Sequence, residues 1–281
     1  MLKELAVGDA YGAGFEYASP EFVKANNTLV GYVKHPKFNL KPGVYTDDTQ
    51  MSIANAEVLL AGEPFTRESF AQAYVTAFKR DQREGYARGF YGFLCEVKDG
   101  SEFLLKMTGR SDKSGAAMRA SVFGVLSDVE KVKEVSKLQA AITHNTNSGI
   151  AAAQAAALLS HYFLYDLGAK SEVGRFIEKH VPPGPWAPAY TQDVGDKGWM
   201  AVRAAITAVQ ESDSMSQLLK RCVDFTGDVD TVAAIALGAA AHSKEVTQDL
   251  PQVLQDNLEN GAYGRDFLKQ LDERLLSLVS K

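Results

Sequence analysis

The sequence is poor in cysteine and lacks the apolar leader of a secreted protein. Its two cysteines, Cys95 and Cys222, lie in unrelated contexts, and no C-x-x-C pair or Cys/His cluster occurs. A zinc finger or a disulfide framework is therefore disfavoured, and the pair suits a reducing compartment. The first twelve residues contain no apolar core of a signal peptide, so we expect a cytoplasmic protein.

The sequence also lacks clustered positive charge and long apolar runs. The formal net charge is −5, and no block rich in Lys and Arg occurs, which disfavours nucleic acid as a partner. The longest apolar stretch, residues 149–165, is interrupted by Gln154, Ser160 and His161, as in a buried helix rather than a membrane span. We therefore predict no membrane partner. We also predict a monomer and a single domain over residues 1–281.

Strand signals are scarce, since only Leu29–Val33 has a β-like pattern. Elsewhere apolar residues recur at three- and four-residue steps, which predicts an all-α fold. Ser127 and Glu130 match a capping box at a helix start, and the Pro-rich residues 181–188 are predicted to form a surface loop. The predicted helices are Met51–Leu60, Thr66–Arg80, Ser127–Leu138, Ser148–Tyr165, Lys197–Glu211, Ser214–Asp224, Val232–His242, Leu250–Asn260 and Arg265–Val279.

Three acidic clusters are the candidates for chemistry, and two of them share a pattern. Each of these two places a pair of aspartates and a threonine directly before a very apolar helix. Taken singly, the Thr46–Thr49 pattern is more often a helix cap than a set of metal ligands, whereas the Asp228–Asp230 pattern is about as often one as the other. Two such helix starts in one core, however, are able to converge on one enclosed place. The clusters are Asp9 with Glu16, Thr46 to Thr49, and Thr226 to Thr231.

Converging carboxylates need positive charge between them. Two like charges 4 Å apart repel by about 4 kcal/mol at an effective dielectric of ~20, whereas a helix start offsets only ~0.3–1 kcal/mol per carboxylate. Bound divalent cations supply the rest. Carboxylate and hydroxyl oxygens, without thiol or imidazole, favour Mg²⁺, with Mn²⁺ or Ca²⁺ as alternatives, over zinc. Five carboxylates suffice for a pair of ions about 3.5–4 Å apart.

Taken together, the motifs resemble those of the ADP-ribosylglycohydrolase family, which includes dinitrogenase-reductase-activating glycohydrolase and the ADP-ribosylhydrolases. The resemblance implies an all-α, compact domain of orthogonal helices with two Mg²⁺ ions in a central cleft. It also implies hydrolysis of an N- or O-glycosidic bond between ADP-ribose and an acceptor, such as a protein Arg or Ser or a small molecule. The matching segments are G-D-A-Y-G-A-G-F-E (8–16), Y-T-D-D-T-Q-M (45–51), S-G-A-A-M-R-A (114–120), T-H-N (143–145), K-G-W (197–199) and G-D-V-D-T-V-A-A (227–234).

Carried over residue by residue, the resemblance also implies a ligand set and a catalytic group. Glu16 is the candidate general acid or base, and Asp47 is the second candidate. An oxocarbenium-like transition state is expected, as in other glycoside cleavage. The implied metal ligands are Glu16, Thr46, Asp47, Asp48, Asp228, Asp230 and Thr231.

Residues 111–119, which we call the phosphate loop, match the family segment that holds the diphosphate of ADP-ribose. Lys113 and Ser114 stand where relatives usually carry Gly and Asn. With Gly115 and Met118 they are the candidate substrate contacts. His144 resembles a family histidine near the site, and it is equally well explained as a hydrogen-bonded core residue.

Residues 83–93 depart from the family pattern, because relatives carry an aspartate near this point and this segment has none. The segment offers aromatic and arginine side chains instead. Tyr86 is a candidate for stacking on adenine and Arg88 for contacting phosphate. The alternative is a partly buried amphipathic helix with no role in binding.

Two other functions compete with an ADP-ribosyl hydrolase that acts on an ADP-ribosylated protein or small molecule. The first is a catalytically silent relative that binds ADP-ribose or is structural, which is expected to have lost carboxylates that this chain keeps. The second is a Mg²⁺-dependent phosphohydrolase acting on nucleotides, which would release phosphate instead of ADP-ribose.

Overall fold

Fourteen α-helices make up most of the computed structural model, which describes residues 1–279. No strand occurs among these residues, and the predicted all-α fold is confirmed. Short 3₁₀ segments lie at 114–116, 121–125 and 170–172. The helices are α1 (Leu2–Gly12), α2 (Pro20–Asn26), α3 (Asp47–Ala61), α4 (Arg67–Arg80), α5 (Arg88–Glu96), α6 (Gly100–Lys106), α7 (Val129–Thr143), α8 (Asn147–Leu164), α9 (Val173–His180), α10 (Gly198–Gln210), α11 (Met215–Asp224), α12 (Val229–Ala240), α13 (Gln252–Asn257) and α14 (Arg265–Leu276).

Several predicted helix starts are wrong by one to four residues, since α3 begins at Asp47 instead of Met51 and α12 at Val229 instead of Val232. Helix α7 is capped by Asp128, whose carboxylate accepts from Lys131 N at 3.0 Å, and not by Ser127. Helix α8 begins one residue before Ser148, because the Thr146 hydroxyl accepts from Gly149 N at 3.0 Å. In both places several short polar side chains follow one another, and backbone geometry decides which of them caps the helix.

Leu29–Val33 is not a strand, so that prediction is wrong. Leu29 has a φ of 62°, which lies in the left-handed region and breaks an extended conformation. Its amide donates to the hydroxyl of Tyr11 at 3.0 Å instead of to a neighbouring strand. Val30 is 78% exposed, whereas Leu29, Tyr32 and Val33 are partly buried against the core.

The core is built around α12, all of whose residues are buried. Helix α1 packs closely on it through two glycines. A Cβ at Gly8 would lie 2.5 Å from Ala233 O, and a Cβ at Gly12 would lie 2.7 Å from Asp230 N. Because only glycine allows this approach, α1 brings Asp9 close to the acidic start of α12.

Small residues also fill the space around α8 and α10, where nearly all alanines are fully buried. Residues 181–188 form the irregular connection between α9 and α10, as predicted. Within residues 1–279, no helix combines the length and apolar character needed to cross a membrane.

Candidate metal centre and substrate cleft

The first turns of α3 and α12 open onto one cleft of about 320 Å³. Asp47 and Asp48 begin α3, while Asp228 directly precedes α12 and Asp230 lies in its first turn. Glu16 reaches the same cleft from the turn after α1. The fold thus brings together the five carboxylates that the sequence places in three distant segments.

The carboxylates are close enough to share a cation. Glu16, Asp228 and Asp230 each offer an oxygen, and these atoms lie within 4.8 Å of one another. Asp48 Oδ2 and Asp230 Oδ1 are buried and have no hydrogen-bond partner among the described residues. Since a buried charged oxygen without a partner costs several kcal/mol, this donor set fits a hard divalent cation.

Burial raises the pKa of every carboxyl in this group, and the charges of neighbouring carboxylates raise it further. Burial is the largest cause for Asp48 and Asp230, followed by the charges of Asp47 and of Glu16 respectively, and both pKa values lie well above the ordinary range. The pKa of Glu16 is raised to about 7 by burial and then by the charges of Asp228 and Asp9. Repulsion of this kind is what a bound cation relieves.

Asp9 holds the start of α3 in place. This fully buried carboxylate accepts from the backbone N–H groups of Thr46 and Thr49 at 3.0 Å and from their hydroxyls at 2.8 and 2.6 Å. Asp9 therefore acts as a helix cap supplied by another helix. The sequence gives no sign of this role, because Thr46 and Thr49 lie 37 and 40 residues after Asp9.

The two threonines among the predicted ligands lie differently. Thr231 lines the cleft, where its hydroxyl is hydrogen-bonded to Asp48. Thr46 donates its hydroxyl proton to Asp9 Oδ1 at 2.8 Å. A hydroxyl oxygen that donates in this way keeps its lone pairs for a cation, so both side chains stay in the proposed ligand set.

Strained backbone positions Glu16 and Asp228. Tyr17 and Thr226 have φ values of 49° and 64°, which cost about 1–3 kcal/mol each for residues other than glycine. The two turns are joined, since Tyr17 N donates to Gly227 O at 2.8 Å. Such strain persists where the surrounding contacts fix it, as is typical of functional sites.

The phosphate loop also lines the cleft. Lys113, Ser114, Gly115 and Met118 all line it, as does His144. Ser114 N donates to Asp196 O at 3.1 Å, and Lys113 Nζ lies 3.1 Å from the Asp196 carboxylate. The loop is thus tied to the segment before α10.

His144 lies in the cleft wall in its neutral form. Burial, and then the nearby Arg119 guanidinium, lower its pKa to about 3. Its Nδ1 is 2.7 Å from the hydroxyl of Thr143, while its ring edge faces Gly115. Near neutral pH the ring therefore offers hydrogen-bonding atoms without charge.

Residues 83–93 place a different aromatic side chain in the cleft from the one predicted. Tyr86 is buried and donates to Gln50 Oε1 at 2.7 Å, and its ring packs on Phe78 with 5.5 Å between centroids. Arg88 is exposed at the start of α5 and does not line the cleft. Phe90 lines the cleft instead, and we replace Tyr86 and Arg88 with it in the proposed substrate site.

Gly85→Ala is expected to distort the acidic site. Gly85 has a φ of 102°, and a Cβ there would lie 2.7 Å from Thr46 Cβ and collide with Asp47 Oδ1. The left-handed backbone alone costs about 1–2 kcal/mol for alanine, so we expect a lower melting temperature and weaker Mg²⁺ binding by calorimetry. Gly89→Ala is the matched control, because Gly89 lies in α5 with no atom near its would-be Cβ. Equal behaviour of the two variants would contradict the close packing of Gly85 on Asp47.

The sequence is similar to those of known proteins. The sequence matches the ADP-ribosylglycohydrolase family over residues 5–281. It is 26% identical to the ADP-ribosyl-[dinitrogen reductase] glycohydrolase of Rhodospirillum rubrum, over 96% of this chain and 92% of that protein. It is 30% identical to the ADP-ribosylhydrolase ARH3 of Homo sapiens, over 43% of this chain and 35% of that protein.

A solved structure agrees at the level of the fold. A chain described as an ADP-ribosylglycohydrolase-related protein complex superposes with a TM-score of 0.75 at 19% identity, covering 99% of this chain and 96% of that one. The acidic helix starts, the phosphate loop and the match along nearly the whole sequence point to one conclusion, namely that this chain belongs to the ADP-ribosylglycohydrolase family.

Proposed function

We propose that this protein hydrolyses the glycosidic bond between ADP-ribose and an acceptor, with the help of two Mg²⁺ ions. Relatives in its family are named for hydrolysis of ADP-ribose linkages. The observation that carries the proposal for this chain is the pair of buried carboxylate oxygens without partners, Asp48 Oδ2 and Asp230 Oδ1. Both residues line the same cleft as the phosphate loop.

The cation ligands in this proposal come from both helix starts and the turn after α1. When bound, such ions orient ribose hydroxyls and increase the acidity of a water molecule. The same oxygen donors accept Mn²⁺. The proposed ligands are Glu16, Thr46, Asp47, Asp48, Asp228, Asp230 and Thr231.

Glu16 is the proposed general acid or base, and Asp47 is the second candidate. Glu16 lines the cleft beside Asp228 and Asp230, where a carboxyl group is able to give or take a proton at the bond that breaks. The neighbouring carboxylates also stabilise the positive charge that develops on the ribose as the glycosidic bond breaks.

The proposed contacts to the rest of ADP-ribose come from the phosphate loop and α5. Lys113 would place a positive charge near the diphosphate. The hydroxyl of Ser114 and the backbone of Gly115, which no side chain covers, would contact the same group. Phe90 offers an aromatic face for adenine. Met118 and neutral His144 complete the wall.

The direct test uses arginine-, serine- and DNA-base-linked ADP-ribose, each incubated with the protein in Mg²⁺ or in EDTA. Chromatography is expected to detect free ADP-ribose from at least one substrate in Mg²⁺ and none in EDTA. Release from no substrate, or release that EDTA leaves unchanged, would overturn the proposal.

The same assay separates the two competing functions. A silent relative would bind ADP-ribose without releasing it from any substrate. A phosphohydrolase would release inorganic phosphate from nucleotides, which a colorimetric phosphate assay detects. The proposed partners are ADP-ribosylated proteins or small molecules. The monomeric state and the cytoplasmic location stay predictions.

Stabilisation by Mg²⁺ is expected to increase with pH. A carboxyl whose folded-state pKa is raised stabilises the metal-free protein below its unfolded pKa, and this contribution is lost as pH rises through the folded pKa. For Glu16 that window runs from 4.5 to about 7. Because each cation must displace these protons, its binding tightens over the same range.

The measurement is the melting temperature in Mg²⁺ minus that in EDTA, taken between about pH 5 and pH 8 at constant ionic strength. Taking the difference cancels the titration of histidines that do not contact the cations. A difference that is constant or falls with pH would contradict the expected proton release.

A further inference from the structure

A second cavity, of about 300 Å³, lies outside the cleft and shares no lining residue with it. We call it the tryptophan cavity. It is lined by the proline-rich residues 181–188, the start of α8 and the first turns of α10. The residues that matter here are Ala151, Pro183, Pro185, Trp186, Trp199 and Arg203.

The walls of the tryptophan cavity are aromatic and firmly held. Trp186 is buried and donates from Nε1 to Val181 O at 2.9 Å. Trp199 packs edge-on against Tyr190 with 6.4 Å between ring centroids. Pro183 and Pro185 have fixed φ angles, which restricts the backbone of this wall.

Arg203 gives the cavity an unpaired positive charge. It is the charged residue among those that line the cavity, and it forms no ion pair with a carboxylate of residues 1–279. Its hydrogen bond, from Nη2 to Pro188 O, is long at 3.3 Å, and its Nε is buried without an acceptor. The guanidinium carbon lies 5.9 Å from the centre of the Trp199 ring.

The start of α8 adds to this positive potential. Asn147 and Ser148, in the first turn of this 18-residue helix, line the cavity. The N-terminal end of a helix carries a partial positive charge. An apolar aromatic cavity with a cation and no carboxylate is complementary to a planar apolar group that carries an anion.

We propose that the tryptophan cavity binds a small aromatic carboxylate. The ring would lie against Trp199 and the prolines, and the carboxylate would face Arg203, whose planar guanidinium matches carboxylate geometry. The volume lies at the lower end of the range for small-molecule sites.

A free small molecule fits this cavity better than a protein segment does. Stable protein interfaces bury an apolar core well beyond a single cavity. None of the exposed large apolar residues among the described residues belongs to α8, α10 or residues 181–188, so the cavity is not the centre of a wider apolar patch.

The test uses phenylacetate and phenylacetamide, which have nearly the same shape and differ in charge. The protein has two tryptophans, and both line this cavity, so intrinsic fluorescence reports binding there directly. Phenylacetate is expected to change the fluorescence saturably, and phenylacetamide to bind at least about tenfold more weakly. No saturable change with phenylacetate, or equal binding of the two compounds, would overturn the proposal.

Variants locate the charge recognition. Arg203→Gln is expected to remove the preference for phenylacetate, whereas Arg203→Lys is expected to keep part of it. Arg175→Gln is the control, because Arg175 is 75% exposed and already paired with Glu172. A preference that survives in Arg203→Gln would contradict the assignment. The comparison of the two compounds on the unaltered protein needs no variant, and neither result depends on hydrolysis of ADP-ribose.

Discussion

Asp48→Asn is expected to stabilise the metal-free protein while it abolishes the response to Mg²⁺. Asp48 is buried, and its pKa is raised by burial and by the charge of Asp47. Asparagine keeps the shape of the side chain and removes the charge. We expect a gain of about 1–2 kcal/mol in the free energy of unfolding in EDTA, since part of a like-charge repulsion is lost.

Mg²⁺ binding is expected to weaken in Asp48→Asn, although the metal-free protein becomes more stable. An amide oxygen is a weaker ligand for Mg²⁺ than a carboxylate, so Asp48→Asn is expected to lose Mg²⁺ stabilisation and at least about 100-fold of any hydrolase activity. The melting temperature in EDTA and in Mg²⁺ measures both effects, at about 2–4 °C per kcal/mol for a protein of this size.

Glu134→Gln is the control for this substitution, because that carboxylate is 73% exposed on α7. It is expected to change neither the stability nor the Mg²⁺ response by a measurable amount. An Asp48→Asn protein that is less stable in EDTA and still responds to Mg²⁺ would show that the carboxylate is a structural group instead of a ligand.

Asp9→Ala is expected to destabilise the protein with or without Mg²⁺. The change leaves two backbone N–H groups and two hydroxyls of Thr46 and Thr49 buried without their acceptor. Each such group costs about 1–3 kcal/mol, and we expect a loss of about 3–5 kcal/mol in the free energy of unfolding. Chemical denaturation measures this loss.

Comparing Thr49→Val with Asp9→Ala separates the role of Asp9 in positioning the start of α3 from a simple loss of packing. Thr49→Val removes one of the four donors and is expected to cost about 1 kcal/mol. In Asp9→Ala, Mg²⁺ binding is also expected to weaken, because Thr46 and Thr49 lose the contact that orients the start of α3, where Asp47 and Asp48 lie. Normal Mg²⁺ affinity in a folded Asp9→Ala protein would contradict the role of Asp9 as a helix cap for the site.

The helical fold was predictable because apolar periodicity is a property of each segment taken alone. The core helix α12 shows this, although it begins at Val229 and not at Val232. The errors arose where tertiary contacts decide local structure. Leu29 is drawn out of an extended conformation by the Tyr11 hydroxyl, and the cap of α7 passes from Ser127 to Asp128.

The gathering of the carboxylates was predictable because several like charges before apolar helices need a common counter-charge. Asp9 could not be assigned its role, because a buried carboxylate that caps a distant helix has no local signature. Tyr86 and Phe90 illustrate a further limit. Both are aromatic and four residues apart, and the packing of Tyr86 on Phe78 leaves Phe90 to face the cleft.

The proposal with the most consequences is that two divalent cations bind between the starts of α3 and α12. Crystals grown with Mn²⁺ and measured for anomalous scattering test it most directly. We expect two peaks about 3.5–4 Å apart, contacted by Asp48 and Asp230 among the carboxylates that line the cleft. A cleft without anomalous peaks at saturating Mn²⁺, or peaks only at other carboxylates, would contradict the account.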